Sequence, residues 1–439
     1  MTFVRCLSAR NALVAAAVAV LFLSAGPRAQ AEATLLIEVD SGKVLHAENA
    51  TYPWHPASVT KLMTAYVTLK AVKARRISLN TLITVSPQAA AQAPSKMGFK
   101  PGTQLTVDNA LKMLMVKSAN DMAVTLAEGV GSSYDAFIDE MNATARRLGM
   151  TQTSYVNPNG LPAEGQVTSA RDLAILARAM MRELPEYDFY WHIPAIKLGR
   201  RVMRNYNTLI DRYPGADGMK TGFICASGFN LVASATRNGR RLVAVVLGAP
   251  SSAVRAAKAA QLLERGFNNA PLTWLTPSLG NVDVMVPVAA PPPDLRDEMC
   301  GKHRKRPAAE TLDEPEEASN PSSDRDSNGF SLVKLHSPTA KPSTLIGPLV
   351  ASTEPIPVFV GPPKAQVAAA GKPARGAMAA NAAAATAPAP AALPQSTTTA
   401  FAASPAPAWP ANFAPMPTSR AATGVIPMPR PRPKPQASR

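Results

Sequence analysis

The chain of 439 residues carries a net charge of +16, and only 5% of its residues are aromatic. This length would allow two or three domains, but 27 of the 42 prolines follow Ala290, where few large apolar side chains can offset the entropy of folding. The composition therefore predicts one folded domain and a long tail. The charge favours an anionic surrounding such as a cell wall or membrane surface, and the scarcity of aromatic residues argues against nucleic acid.

The N-terminus is typical of a secretory signal peptide. Arg5 and Arg10 flank the start of an apolar run over residues 13–25, and residues 29–31 form an A-x-A cleavage site. An uncleaved membrane anchor is disfavoured because the apolar run is short for a bilayer span. We therefore expect secretion through the Sec pathway into the periplasm, with residues 1–31 removed.

Two cysteines, Cys225 and Cys300, would then remain in an oxidising compartment. Their separation in the fold is not given by the sequence, and Cys300 lies beyond the predicted folded domain. Whether they form a disulfide is left open.

The first half of the chain predicts a hairpin followed by helices. Residues 33–39 and 44–46 read as strands joined by a turn at residues 40–43. Helix-compatible apolar runs then occur near residues 58–72, 110–116, 122–128, 134–148 and 169–183. Thr106 and Ser169 are the expected capping residues of two of these helices.

The second half changes to the period of β-strands. Residues 229–236 and 242–247 are apolar runs rich in β-branched side chains, and Asn238-Gly239 between them is a hairpin signal. Asp217-Gly218 predicts a turn, and residues 253–267 predict a final helix. Strands at both ends of a helical middle indicate an α+β fold: an antiparallel sheet that includes the N-terminal hairpin, with a helical cluster on one side.

Beyond residue 270 no second core is expected. Residues 271–301 read as a linker with a short strand near 282–288, and residues 302–439 as a low-complexity, largely disordered basic tail. Within the tail, residues 330–335 and 356–360 resemble isolated strands. On this prediction, truncation after about Pro293 leaves the activity of the chain nearly unchanged.

Ser58-Val59-Thr60-Lys61 can bring a nucleophile and a base together. Ser58 falls near the start of the first predicted helix because Pro53 and Pro56 end the extended approach to it. Residues three apart on a helix have Cβ atoms about 5–6 Å apart, so the Lys61 amine can reach the Ser58 hydroxyl. A partly desolvated lysine can then accept the proton. Taken alone, the tetrapeptide is better explained as an N-cap serine and a solvated lysine.

Two later motifs reverse that balance. The first is Lys117-Ser118-Ala119-Asn120 and the second is Lys220-Thr221-Gly222. The motifs Ser-x-x-Lys, Ser-Asp-Asn and Lys-Thr-Gly, in this order, are the signature of penicillin-binding proteins and class A β-lactamases. Over about residues 32–270 the chain resembles the D-alanyl-D-alanine carboxypeptidases among the low-molecular-mass penicillin-binding proteins, serine peptidases of the D-Ala-D-Ala carboxypeptidase 1 family. The resemblance implies one catalytic domain with the serine β-lactamase/penicillin-binding transpeptidase-like fold.

The resemblance also implies the catalytic residues. Ser58 would be acylated by the substrate, and Lys61 would be its general base. Ser118, on the break between two predicted helices, would relay a proton to the leaving amine.

Five further residues would bind the substrate. Asn120 would bond a substrate amide, Lys220 and Thr221 would hold the terminal carboxylate, and Gly222 would let the acyl chain approach the strand edge. The backbone N–H of Phe223 would complete an oxyanion hole with that of the nucleophile.

Other charged residues are given simpler interpretations. Asp121 and Asp217 are expected in a helix first turn and a turn rather than as an acid pair. No cofactor or metal is expected, because no metal-ligand spacing links the histidines, which are His46, His55, His192, His303 and His336. A cluster of arginines could help to bind a substrate carboxylate, and the sequence does not show which of them does so. Its members are Arg200, Arg201 and Arg204.

The leading hypothesis is a periplasmic DD-carboxypeptidase that removes the terminal D-alanine from peptidoglycan stem peptides and is trapped by β-lactams. A DD-endopeptidase uses the same residues, and the sequence leaves that choice open. A β-lactamase is disfavoured because Ala119 replaces an aspartate and residues 154–158 contain no glutamate. A wall-binding scaffold is disfavoured by the complete set of motifs. The proline-rich end, residues 427–435, cannot form the amphipathic membrane helix usual in these relatives, so only weak wall or membrane association through the basic tail is expected.

Overall fold

The computed structural model describes residues 32–268, 279–302, 345–348 and 354–362. The predicted signal peptide, the predicted strand at residues 330–335, His303 and His336, and the proline-rich end lie outside the described residues. A second unit of the chain, residues 374–439, also lies wholly outside them.

The described strands are β1 (Ala33–Glu38), β2 (Val44–Glu48), β3 (Leu82–Thr84), β4 (Gln104–Thr106), β5 (Ala195–Leu198), β6 (Arg201–Arg204), β7 (Ala216–Ile224), β8 (Gly228–Arg237), β9 (Arg240–Ala249) and β10 (Ile356–Val358). The described α-helices are α1 (Lys61–Lys73), α2 (Pro87–Ala90), α3 (Val107–Val116), α4 (Asn120–Val130), α5 (Tyr134–Arg147), α6 (Ala170–Glu183), α7 (Phe189–His192), α8 (Ser252–Asn268) and α9 (Arg296–Cys300). Short 3-10 turns cover Ala57–Thr60, Pro185–Tyr187 and Val282–Val284.

The main sheet has five strands in the order β2-β1-β9-β8-β7, all antiparallel. The N-terminal hairpin therefore joins the late strands through the β1–β9 pair, which confirms the predicted α+β fold. Asn238 and Gly239 join β8 to β9 with φ angles of 50° and 74°, the left-handed values that a two-residue hairpin turn requires. Strand β7 forms one edge of this sheet.

Both faces of the sheet are covered, because alternate residues of a strand point to opposite sides. On β9, Val243 and Val245 pack in the core of the helical cluster, whereas Ala244 and Val246 pack with α8. The predicted helical cluster lies on one side of the sheet, and α8 covers the other side. The apolar face of α8 contributes a second core, in which Leu263 is fully buried.

The helix boundaries follow the predicted capping residues. The Thr106 hydroxyl accepts a hydrogen bond from the Asn109 amide at the start of α3, and the Ser169 hydroxyl accepts one from the Asp172 amide at the start of α6. Ser118 has a φ of 58°, a left-handed value that no continuous helix allows. The chain therefore breaks between α3 and α4 at the predicted place.

Three local predictions differ from the structure. Asp217-Gly218 forms a bulge inside β7 rather than the predicted turn. The pairing of β7 with β8 outweighs the local preference of Asp-Gly for a turn. Residues 282–284 form a 3-10 turn rather than a strand. Strands β5 and β6, which carry several charged residues, have no strand signal in the sequence but pair as a hairpin.

Residues that the sequence assigns to a linker and a tail contact the folded domain. Leu295 and Met299 are buried in its core, and Cys300 forms a disulfide with Cys225 at a Cα–Cα distance of 5.7 Å. Strand β10, within the predicted strand-like run 356–360, pairs in parallel with β5. Truncation after Pro293 would therefore remove core side chains and the disulfide, so the segment beyond Pro293 is more than a linker. That the truncated chain keeps its activity stays a prediction.

None of the described helices is long and apolar enough to cross a bilayer. Within the described residues, no group of three His, Cys, Asp or Glu side chains is arranged to hold a metal ion.

Candidate active site

Ser58 and Lys61 are in direct contact. Ser58 lies in the 3-10 turn that precedes α1, and Lys61 is the first residue of that helix. The Lys61 Nζ atom donates a hydrogen bond to the Ser58 Oγ atom at 3.0 Å. Lys61 is completely buried, whereas Ser58 is only partly buried. The hydroxyl is therefore accessible from outside while the amine is held beneath it.

Two oxygen atoms orient the Lys61 amine. Nζ donates to the side-chain oxygen of Asn120 at 2.7 Å and to the backbone carbonyl of Asn159 at 2.6 Å. Both oxygens can only accept hydrogen bonds, so they engage two N–H bonds of the amine. Together with the Ser58 hydroxyl, these two oxygens hold the amine in a fixed place beside Ser58.

The chain before Ser58 is fixed by contacts from distant strands and loops. The Asn230 side chain on β8 donates to the backbone carbonyls of His55 and Pro56 at 3.0 and 3.2 Å. The Trp54 indole donates to the Ser227 carbonyl at 3.0 Å. Gly160 packs so closely that a Cβ there would lie 1.8 Å from the Ala57 carbonyl oxygen. The chain at Ser58 is therefore held from two sides, which fixes the position of this residue.

Ser118 and Asn120 enter the site from the break between α3 and α4. The Ser118 hydroxyl is buried and has no hydrogen-bond partner among the described residues. Asn120 donates through its amide to the Ala93 carbonyl at 2.8 Å while accepting from the lysine amine. Asp121, in the first turn of α4 as expected, accepts from the Met97 and Gly98 amides and holds that neighbouring loop.

The Lys-Thr-Gly motif lies on the edge strand β7. Lys220 and Thr221 are buried, and the Lys220 amine donates to the Thr221 carbonyl at 3.0 Å. Gly222 directly faces the 3-10 turn: a Cβ on it would lie 2.8 Å from the Ser58 backbone nitrogen. Phe223 follows, with its ring 4.2 Å from that of Phe229. The edge strand therefore passes directly beside Ser58.

Two residues that support this arrangement escape the sequence analysis. Asn159 acts through a backbone carbonyl, which every residue has, so no sequence signal marks it. Arg255 reaches β7 from α8 on the opposite face of the sheet. It is 2% exposed and donates to the Gly222 and Asn230 carbonyls at 3.4 and 3.2 Å. A buried arginine is unusual. An arginine on the apolar side of the helix is the only sign in the sequence that Arg255 has a structural role.

Asp217 and the arginine cluster are not part of this constellation. Asp217 accepts hydrogen bonds from Thr236 and Arg241, at 2.9 and 2.8 Å, near the start of β7. Arg200, Arg201 and Arg204 are exposed on the hairpin of β5 and β6.

Solved structures share this fold. Penicillin binding protein 6B of Escherichia coli is similar with a TM-score of 0.52 and 35% identity, over 55% of this chain and 78% of that chain. Penicillin binding protein 5 of Haemophilus influenzae is similar with a TM-score of 0.52 and 33% identity, over 55% of this chain and 72% of that chain. The antiparallel sheet with its helical cluster is therefore the fold of penicillin-binding proteins.

The family follows from the sequence itself. The sequence profile of the D-alanyl-D-alanine carboxypeptidases, peptidase S11, matches residues 22–251, more than half of the chain. The chain belongs to this family. The D-alanyl-D-alanine carboxypeptidase DacC of Escherichia coli is 38% identical over 248 residues, which are 55% of this chain and 62% of DacC. The match thus spans less than two thirds of that relative.

Proposed function

We propose that the chain is a serine DD-carboxypeptidase that removes the terminal D-alanine from peptidoglycan stem peptides through an acyl-enzyme on Ser58. The observation that carries this proposal is the 3.0 Å contact between the Ser58 hydroxyl and the fully buried Lys61 amine. Family membership and the similarity to penicillin-binding proteins support the same reaction.

In the acylation step, Lys61 takes the proton as Ser58 Oγ attacks the carbonyl carbon of the penultimate D-alanine. The carbonyl oxygen becomes an oxyanion, which the backbone N–H groups of Ser58 and Phe223 stabilise. When the tetrahedral intermediate collapses, the bond to the leaving D-alanine nitrogen breaks. Ser118 gives its hydroxyl proton to that nitrogen and receives in its place the proton that Lys61 took from Ser58. The unpartnered buried hydroxyl of Ser118 suits this relay, because it has no other hydrogen bond to give up. Water then hydrolyses the ester and releases Ser58.

Substrate binding is assigned to the edge strand and to Asn120. An acyl chain pairs with β7 as an added strand, which the missing side chain of Gly222 permits. Lys220 and Thr221 hold the terminal carboxylate, and Asn120 bonds a substrate amide while it positions Lys61. Arg255 and Asn230 keep β7 and the nucleophile at a fixed separation.

The same serine explains covalent inhibition by penicillins, whose lactam carbonyl takes the place of the scissile amide. A β-lactamase needs a group that activates the deacylating water. The loop residue that touches Lys61 is Asn159, whose amide and carbonyl are not bases. We therefore expect a long-lived penicilloyl-enzyme.

The predicted signal peptide and the proposed peptidoglycan substrate both support a periplasmic location. Contact with the inner membrane or the wall through the basic tail is a weaker, peripheral interaction in this proposal.

Release of D-alanine tests the proposal. The chain from residue 32 is incubated with an N-blocked peptide that ends in D-Ala-D-Ala and, separately, with a purified cross-linked stem-peptide dimer. We expect free D-alanine from the first and little cleavage of the second. Faster cleavage of the dimer would make the chain a DD-endopeptidase. Rapid turnover of penicillin would make it a β-lactamase, and no reaction with any of the three would support a non-catalytic scaffold.

A further inference from the structure

The hairpin of β5 and β6 carries a concentration of positive charge. Lys197, Arg200, Arg201 and Arg204 are all exposed on these two short strands and the turn between them. Among the described residues none of the four forms an ion pair. Like charges placed this close repel one another, and this part of the chain supplies no acidic group to compensate.

This cationic hairpin leads towards the catalytic motif. Tyr206 follows Arg204 by two residues, which span about 7 Å of extended chain, and its hydroxyl accepts a hydrogen bond from the Lys117 amine at 2.8 Å. The same amine lies 5.3 Å from the centre of the Tyr206 ring. Lys117 immediately precedes Ser118. Because the partner in this contact is a hydroxyl and not a carboxylate, the contact orients the Lys117 amine without pairing it with an acidic group.

The position of the hairpin is fixed by buried neighbours. The Asn207 side chain donates to the Gly218 carbonyl of β7 at 2.8 Å, and that of Asn205 donates to the Ile193 carbonyl at 3.0 Å. The hairpin is also paired to β10 through β5. Its four cations are therefore held on a fixed support, continuous with β7, rather than on a mobile loop.

We propose that the cationic hairpin, with Lys117 at its inner end, binds free carboxylates on the acyl-donor side of the substrate and makes the enzyme selective for acidic peptides. This inference rests on the proposed function. The terminal carboxylate of the substrate is assigned to Lys220 and Thr221, so the hairpin recognises additional carboxylates upstream of the scissile bond. It determines which peptide is used and takes no part in the bond-breaking step.

An anionic membrane is the competing occupant of such a surface. Proteins that lie on a membrane combine basic residues with an apolar face, and Val202 is the one large apolar side chain that these two strands expose. Continuity with Lys117 and Ser118 instead relates the charge to the catalytic centre. These two observations favour an acidic peptide.

The test compares two N-blocked peptides that end in D-Ala-D-Ala. One carries two free side-chain carboxylates upstream, and its twin carries the corresponding amides. For the chain from residue 32, we expect kcat/KM to be about three- to tenfold higher for the acidic peptide at low salt, because each exposed ion pair contributes little. The preference should shrink at high salt. In the variant Arg200→Ser/Arg201→Ser/Arg204→Ser, kcat/KM for the acidic peptide should be no more than about twofold above that for the neutral peptide. The value for the neutral peptide should be unchanged.

A matched control separates local from bulk charge. Arg75, Arg146 and Arg182 are exposed and form no ion pair among the described residues. Arg75 follows the C-terminal end of α1, a 13-residue helix that begins at Lys61, so it lies about 20 Å from the active site. The variant Arg75→Ser/Arg146→Ser/Arg182→Ser loses the same charge and should keep the preference.

Three results would overturn the proposal: equal use of both peptides by the unmodified chain, a preference that survives in the hairpin variant, or an equal loss in the control variant. Loss of binding to anionic phospholipid vesicles in the hairpin variant, with the peptide preference unchanged, would assign the surface to a membrane instead. A chain that releases D-alanine from neither peptide would refute the proposed function itself, which distinguishes the two failures.

Discussion

Gly222 and Ser58 approach each other so closely that a Cβ on Gly222 would lie 2.8 Å from the Ser58 backbone nitrogen. Real Cβ atoms are not found so near a backbone atom, and neither β7 nor the 3-10 turn can relieve the clash by rotating a side chain. The edge strand β7 and Ser58 are therefore held at a separation that only glycine allows.

Substitution Gly222→Ala should push β7 away from Ser58. We expect the rate of acylation by penicillin to fall by about 100-fold, because a displacement near 1 Å is enough to misalign reacting groups. Acylation is measured by stopped-flow, and thermal unfolding is measured alongside it. An unchanged acylation rate would show that the strand does not position the reaction.

The two motif lysines should differ in their tolerance of arginine. Lys61 has to be neutral to accept a proton, and arginine stays protonated in proteins, so Lys61→Arg should lower the acylation rate about 10²- to 10⁴-fold. Lys220→Arg keeps its positive charge and should retain part of the activity, with poorer use of substrates that carry a carboxylate.

Lys61→Met serves as a second variant of the base, because it removes the amine and fits the buried site more easily than arginine. Circular dichroism establishes that each variant is folded. If folded Lys61→Arg or Lys61→Met acylates as fast as the unmodified chain, Lys61 is not the base, and the proton leaves Ser58 by another route such as Ser118 and Lys220.

The disulfide between Cys225 and Cys300 closes a loop across 75 residues. Its loss should lower the free energy of unfolding by about 2–4 kcal/mol, largely because the unfolded chain regains freedom. The double variant Cys225→Ser/Cys300→Ser is compared with the unmodified chain by urea unfolding, with and without a reducing agent. Reducing agent should destabilise only the unmodified chain. Equal stability of the two proteins would contradict the prediction.

His192 and Asp217 should make stability depend on pH. Burial by itself would lower the pKa of His192, but a hydrogen bond with Asp217 and one with the Asp188 carbonyl outweigh it and raise that pKa. Burial would raise the pKa of Asp217, yet the bond with His192 and the charge of Arg241 leave that pKa below its usual range. The His192 contribution is complete below the unfolded value near 6.5 and is lost as the pH rises through the raised folded value. The Asp217 contribution is lost only as the pH falls below about 4.

Substitution His192→Gln should therefore lower the melting temperature more at pH 5.5 than at pH 8.5. His46 provides a control of opposite sign, since burial and then Arg265 lower its pKa. That shift penalises the native state at low pH, so His46→Gln should be better tolerated at pH 5.5 than at pH 8.5. The same pH trend in both variants would refute the assignment.

Much of the fold can be predicted because local and global signals agree. The Asn238-Gly239 turn, the capping residues Thr106 and Ser169, and the period-two pattern of β8 and β9 predict elements that the structure contains. The motifs also agree with the fold. Ser58 and Lys61 belong to one motif and Asn120 to another, and the three side chains form one hydrogen-bonded group.

The remaining features depend on contacts that short sequence windows do not encode. Strand β10 has an edge to pair with only because β5 and β6 form a hairpin some 150 residues earlier. The carbonyl of Asn159 and the buried guanidinium of Arg255 act through their place in the fold. The sequence does not predict the Cys225–Cys300 pair, because it assigns Cys300 to a linker. In the structure, Leu295 and Met299 bury that segment in the core.

The central claim is that Ser58 is the nucleophile, and it is tested most directly by locating a covalent penicillin adduct. The chain from residue 32 is incubated with benzylpenicillin, its intact mass is measured, and the modified peptide is sequenced by mass spectrometry. We expect one added penicilloyl group, on Ser58, and no adduct on a folded Ser58→Ala variant. An adduct on any other residue, or labelling that persists in Ser58→Ala, would contradict the mechanism.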